Sequence, residues 1–219
     1  MVIMGDVATG ERRFLVLHGW QNRRPREHWQ HWLTDSLRAT GEQVLYPQLP
    51  DPELPSLTEW LSILRDELQM LGDGERVVIC HSLGCLLWLR HAETAAATDM
   101  VDRVLLVCPP APSALPATLA PFHAAPFDAD ALRRSARRGV ELVCTDADPW
   151  CPEGAAALYG RALEVPVHVV EGAGHLSLDE GYGPWPAVER WAREGTFSPR
   201  FSSSRPRRRR TGSTPSPTR

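Results

Sequence analysis

The stretch "VVICHSLGCLL", Val77–Leu87, breaks an apolar run with a histidine, a serine and a glycine before turning apolar again. A serine hydroxyl displayed on such a break can attack an acyl carbon. It does so only if a base takes its proton and an acid orients that base. Both residue types follow downstream. "LVCTDADPWCP" runs an apolar strand into Asp146 and Asp148, and "VHVVEGAGHLSLDEG" runs another into a glycine-rich loop carrying His175. Ser82, then an aspartate, then His175 is the chain order of hydrolases whose nucleophile sits between a strand and a helix. Asp148 precedes "PWCP", where a proline-fixed turn can hold its carboxylate. It is favoured over Asp146, which lies nearer the strand. Either aspartate could instead only build a turn by bonding its own backbone.

A tetrahedral oxyanion needs donors. The first apolar run ends in "LHGW", and Gly19 lets the backbone swing toward the nucleophile. The N–H groups of Trp20, or of Gln21, and of Leu83 are the candidates. Cys80 stands where the G-x-S-x-G pattern has its first glycine and Gly84 where it has its second, so the match is partial and the Cys80 position is crowded. Trp150 and Trp185 fall in loops near the proposed site and are candidates to line it. His81 abuts Ser82 and is read as packed and hydrogen-bonded. No histidine pairs at metal spacing with a second strong ligand, so no metal and no cofactor are expected.

These groups need elements to hold them. Strand-like runs occur at 13–18, 43–47, 76–80, 102–108, 140–145 and 165–172. Helical spacing of apolar residues marks 26–40, 56–71, 83–96, 153–163 and 185–194. Ser56 with Glu59 three residues later has the form of a capping box. Buried strands alternating with helices predict an α/β fold of three layers, with a mostly parallel sheet of about six strands covered on both faces. Catalytic groups in such sheets collect at the carboxyl ends of strands. The proline-rich run 109–127 is expected to form an irregular loop or small lid.

Composition sets the outer bounds. Among 219 residues, 42% are hydrophobic and 23% charged, which suits a globular domain. No apolar run reaches the roughly 20 residues of a membrane span, and the first residues lack the apolar core of a secretory signal. Five cysteines, an odd number with no C-x-x-C, suggest a reduced, cytoplasmic protein. All 24 basic residues are Arg. Residues 1–194 hold 17 of them against 27 acids; residues 195–219 hold the other 7 and no acid. One domain over 1–194 and a disordered Arg/Ser/Pro-rich tail over 195–219 follow.

With these residues placed, the chain resembles the retinoblastoma-binding protein 9/YdeN-type serine hydrolases, small α/β-hydrolases with little or no cap. The resemblance rests on "LHGWQNRRPREHWQHWL", "CHSLGC", "DADPWCP" and "GAGHLSLDEGYGPWP", spread over roughly 13–190. It implies a triad at Ser82, Asp148 and His175, and hydrolysis of small esters or amides through an acyl-enzyme. Some members of the family bind other proteins, so a non-catalytic interaction protein of the same fold is the competing reading, with its protein partner unknown. Nucleic-acid binding through the Arg tail is the weaker third, because arginine attracts phosphate by charge alone and the body is acidic.

Overall fold

The structure is a computed structural model that describes residues 11–123 and 127–198. The remainder of the Arg-rich tail, and with it the nucleic-acid reading, lies outside the described residues. Six strands form one sheet: β1 (Arg12–Leu17), β2 (Gln43–Leu45), β3 (Glu75–His81), β4 (Arg103–Val107), β5 (Val140–Thr145) and β6 (Val167–Val170). Their order is β2-β1-β3-β4-β5-β6, and every pairing is parallel. The helices are α1 (Trp29–Ala39), α2 (Leu57–Leu71), α3 (Leu83–Thr94), α4 (Ala129–Ser135), α5 (Arg161–Leu163, entered through a π-helical turn at Ala156–Gly160) and α6 (Pro186–Glu194).

Side chains alternate across a strand, and the two cores show it directly. Leu15, Leu17, Val78, Cys80, Val104, Leu106, Leu142 and Cys144 face the helices α2 to α5. Phe14, Val16, Val77, Ile79, Leu105, Val107 and Val143 face α1 and α6. Strands buried on both faces read as continuous apolar runs, which is why they stand out in the sequence. The chain leaves β1 toward one face and leaves β3 toward the other. The crevice between their carboxyl ends is therefore a topological switch point, and Ser82 is the residue that follows β3.

Local chemistry sets the helix ends. Ser56 caps α2, its Oγ accepting the Glu59 N–H at 3.4 Å. α1 starts at Trp29, three residues later than its apolar spacing suggests, because the His28 ring accepts the Gln30 N–H and acts as the cap. Helix α4 has no counterpart in the sequence pattern: it is two turns long and presents little more than Ala131 and Leu132 to the core. The proline-rich run holds two short 3-10 segments, Pro112–Ala114 and Ala117–His123. Leu119 and Phe122 anchor it in the core, the Phe122 ring meeting Trp60 edge-on at 5.4 Å. Phe197, placed in the tail by composition, is buried against Trp185 and His168, so the packed body runs past Gly195. No helix among the described residues is long and apolar enough to cross a membrane.

A tight backbone contact lies where α3 meets β1. A Cβ on Gly84 would fall 2.8 Å from the carbonyl oxygens of both Leu17 and His18. Those are backbone atoms of a central strand and cannot swing aside. Gly84→Ala is expected to push α3 outward and cost about 1–3 kcal/mol, the usual range for overpacking. The check is the urea midpoint at unchanged m value; a wild-type midpoint would show that α3 retreats freely.

Candidate active site

Ser82 is the residue between β3 and α3, and its backbone has φ +54° and ψ −125°. That region is unfavourable for a residue with a side chain, costing about 1–3 kcal/mol. The surroundings over-determine it. The Ser82 N–H donates to Val107 O at 2.9 Å, and its carbonyl accepts the Cys85 N–H at 2.9 Å. Leu83, Cys85, Leu86 and Leu87 behind it are fully buried. Burial of one large apolar side chain is worth about 1.5–3 kcal/mol, so the helix that follows easily outweighs the strain. The bend throws the Ser82 hydroxyl forward, out of the sheet.

His175 stands on the loop after β6. Its Nε2 lies 2.9 Å from Ser82 Oγ, and its Nδ1 lies 2.9 Å from both carboxylate oxygens of Asp148. Nδ1–H donates to the carboxylate, so Nε2 is the bare nitrogen that faces the serine hydroxyl and can accept its hydrogen bond. The Asp148 side chain is 1% exposed. Its Oδ1 also accepts the Trp150 N–H at 2.9 Å across the proline-bounded turn, and the Cys108 thiol lies within 4.8 Å of the same carboxylate. Asp146 is placed differently: its Oδ1 accepts the Gly172 N–H at 2.6 Å and ties the end of β5 to the turn after β6. Of the two aspartates, Asp148 reaches the histidine.

The loop after β1 passes directly under the serine. A Cβ on Gly19 would sit 2.7 Å from Ser82 Cβ, which explains the glycine of "LHGW". The Gly19 carbonyl accepts Nδ1–H of His18 at 2.8 Å. The Trp20 N–H belongs to the same trans peptide and so points the opposite way. The Gln21 N–H is already donated to Pro52 O at 2.8 Å, which leaves Trp20 as the donor of that loop. Leu83 is the first residue of α3, and its N–H has no acceptor within the helix.

Three further histidines surround the site, and burial pushes all of them down. His18 and His28 fall to about 4, and His81 falls well below its ordinary value. They stay neutral at physiological pH and add no positive charge beside His175. Trp20 and Trp150 meet edge-on with ring centres 5.8 Å apart, and Trp150 lies 6.2 Å from the His175 ring. Trp185 corrects the sequence expectation. It caps the start of α6, and its indole is buried against Trp29, Tyr182 and Phe197, away from the site. A large ring at the edge of an apolar cluster gains more from burial than from lining a wet cleft.

Cys108 was not legible as a site residue. It follows β4 directly with φ +48°, and its nearness to Asp148 depends on the pairing of β4 with β5. Ligand-capable atoms of Cys108, Asp148 and His175 lie within 4.8 Å of one another. The carboxylate is engaged by His175 Nδ1–H and the Trp150 N–H, and burial raises the Cys108 thiol above its usual range.

The serine hydrolase family model matches residues 14–193, and the chain belongs to that family. YdeN of Bacillus subtilis (strain 168), which carries a hydrolase designation, is 28% identical over 179 residues, 81% of this chain and 92% of that protein. The crystal structure of YdeN matches at TM-score 0.71 and 25% identity, covering 82% of this chain and 95% of that one. A YdeN-like hydrolase from Pectobacterium atrosepticum matches at TM-score 0.64 and 21% identity, over 88% and 94%. A monoacylglycerol lipase from Paleococcus ferrophilus gives 0.55 at 18%, over 82% and 93%. The last two speak for the fold alone. The protein is a member of the serine hydrolase family with the α/β-hydrolase fold and is similar to YdeN.

All five cysteines are free and buried. Burial raises Cys144 to about 11 and Cys151 to about 12, and drives Cys80, Cys85 and Cys108 upward as well. A thiol reagent at pH 8 is expected to titrate few or none of the thiols in the native protein within minutes, and all five in guanidinium. Rapid native modification of Cys108 would contradict its placement.

Proposed function

We propose that this hydrolase cleaves small carboxylic esters or amides through a Ser82–His175–Asp148 triad and an acyl-enzyme. The observation that carries the reading is the unbroken hydrogen-bond chain from Ser82 Oγ through both ring nitrogens of His175 to a carboxylate that is almost fully buried. Ser82 Oγ attacks the acyl carbon while His175 Nε2 takes its proton. The carbonyl oxygen becomes an oxyanion held by the N–H groups of Trp20 and Leu83, the second backed by the positive end of α3. Asp148 keeps the imidazole in the Nδ1–H tautomer and stabilises the imidazolium. His175 then protonates the leaving alcohol or amine as the tetrahedral intermediate collapses. Water attacks the resulting ester with His175 again as base, and Ser82 is regenerated.

Two variants of the acid decide the assignment. Ser82→Ala and Asp148→Asn are each expected to lower kcat on an activated acetyl ester by about three to four orders of magnitude with the fold intact. Asp146→Asn should stay within about tenfold of wild type, because its partner is the Gly172 N–H. A wild-type rate in Ser82→Ala would remove the triad and favour the non-catalytic interaction reading. Equal losses in the two aspartate variants would assign the acid wrongly.

Substrate size follows from what covers the strand ends. The run 109–127 is too short and too rich in proline for a cap domain with its own core. Leu119 and Phe122 bury it in the body, and Trp20 and Trp150 stand beside His175. Such a site takes compact acyl groups. Across acetyl, butyryl, octanoyl and palmitoyl esters of one alcohol, below aggregation concentrations, kcat/KM is expected to peak at the short chains. A steady rise toward palmitoyl would rule out a shallow site.

A further inference from the structure

The loop that presents His175 has an unusual support. It is glycine-rich, with Gly172 at φ +60°, Gly174 at φ +61° and Leu176 at φ +53°. Glycine-rich segments lose the most conformational freedom on ordering. A loop of this kind, left to itself, would let the His175 ring wander relative to Ser82. Three consecutive carbonyls of the loop are each held by a side-chain donor, and each donor comes from a different element. Gly174 O accepts Thr145 Oγ1–H at 2.5 Å, from the end of β5. His175 O accepts His81 Nε2–H at 3.0 Å, from the end of β3. Leu176 O accepts Trp29 Nε1–H at 2.9 Å, from the start of α1.

His81 is the central member. It is the neighbour of Ser82 in the chain, so its bond to His175 O joins the backbone of the nucleophile to the backbone of the base. Its ring centre is also 5.0 Å from that of His175, tilted by 42°. Trp29 closes edge-on against His81 at 5.5 Å and against Trp185 at 5.2 Å. Bonding to a carbonyl fixes the proton of His81 on Nε2. Its buried Nδ1 meets no donor among the described residues. This is a neutral ring used as a donor and a packing surface, with no route for a proton through it to Ser82.

We infer that His81, Thr145 and Trp29 are positioning residues that clamp the His175 loop through its carbonyls and hold Nε2 within reach of Ser82 Oγ. The inference rests on the reading of His175 as the base. Misplacement of a catalytic group by the order of 1 Å costs on the order of a hundredfold in rate, and one lost carbonyl bond in a glycine-rich loop permits a shift of that size.

The test uses the full-length protein and a fluorophosphonate probe, whose phosphorus Ser82 Oγ attacks with loss of fluoride, a step that needs the same base as catalysis. In His81→Phe, which keeps a ring but no donor, the labelling rate and kcat are expected to fall together by about tenfold to a hundredfold. KM should change by less than about threefold, since the substrate is not touched. His81→Gln, whose amide N–H can occupy the place of Nε2–H, should restore most of the rate. Thr145→Val, nearly isosteric, should slow labelling by about tenfold. The downfield proton resonance of the His175 Nδ1–H bonded to Asp148 should broaden in the Phe and Val variants and persist in the Gln variant. A role in folding alone would leave that resonance and the labelling rate of the folded fraction unchanged. Wild-type labelling in both His81→Phe and Thr145→Val would overturn the clamp, as would a His81→Gln rate as low as that of the Phe variant. If His81→Phe fails to fold, Thr145→Val against His81→Gln decides on the same readouts. A wild-type protein that is never labelled at Ser82 would instead overturn the hydrolase mechanism on which the clamp depends.

Discussion

Everything at the carboxyl end of the sheet answers to one backbone bend, the left-handed conformation of Ser82 between β3 and α3. A serine in that conformation needs its neighbours to come close. The carbonyls of Leu17 and His18 approach α3 so tightly that only glycine fits at position 84, and the β1 loop approaches Ser82 so tightly that only glycine fits at position 19. Val107 on the adjoining strand accepts the Ser82 N–H. The all-parallel order with β3 between β1 and β4 is what brings these three segments to one point. The bend is strained by an amount that one or two buried leucines of α3 offset. It can therefore be maintained without special chemistry at Ser82 itself.

The electrostatics of the site are arranged by burial. Asp148 places a buried carboxylate beside His175, held by its own turn. Desolvation keeps His18, His28 and His81 uncharged near neutral pH, so these three rings place no cation beside His175. The buried neutral rings then serve as donors and acceptors to the backbone. His18 orients the peptide before Trp20, His28 caps α1, and His81 reaches the carbonyl of His175.

The aromatic residues divide between the two faces of this arrangement. Trp20 and Trp150 stay half-buried at the cleft, where an amphipathic ring can meet a small ligand. Trp29 and Trp185 lie behind it and join α1, α6 and the His175 loop into one packed unit. The segments "HWQHWL" and "GPWP", far apart in the chain, thus share a single contact. That contact backs the His175 loop from behind.

Much of this was readable from residues alone, for physical reasons that can be named. Strands buried on both faces are continuous apolar runs, so β1, β3, β4 and β5 announced themselves, and their alternation with amphipathic helices implied the parallel sheet. A polar break between a buried strand and a buried helix marked Ser82, and chain order marked His175. Local pattern could not choose firmly between Asp146 and Asp148, because each is a plausible turn residue; only the direction in which the turn after β5 carries its side chains separates them. Trp185 was misplaced because a loop tryptophan between two prolines looks the same in sequence whether it lines a cleft or plugs a core. Helix α4 was missed because a two-turn helix with two small buried contacts leaves almost no periodicity. Cys108 and the triple clamp on residues 174–176 were invisible for a deeper reason. The clamp bonds join the ends of β3 and β5 and the start of α1 to the loop after β6 across separations of 29 to 147 residues, and pairs so distant acquire a fixed distance only when the sheet order and register are set. The residue types and their order along the chain were determined by sequence; the partners of the buried polar groups were decided by tertiary structure, because a hydrogen bond needs an ångström-scale position that no local pattern specifies.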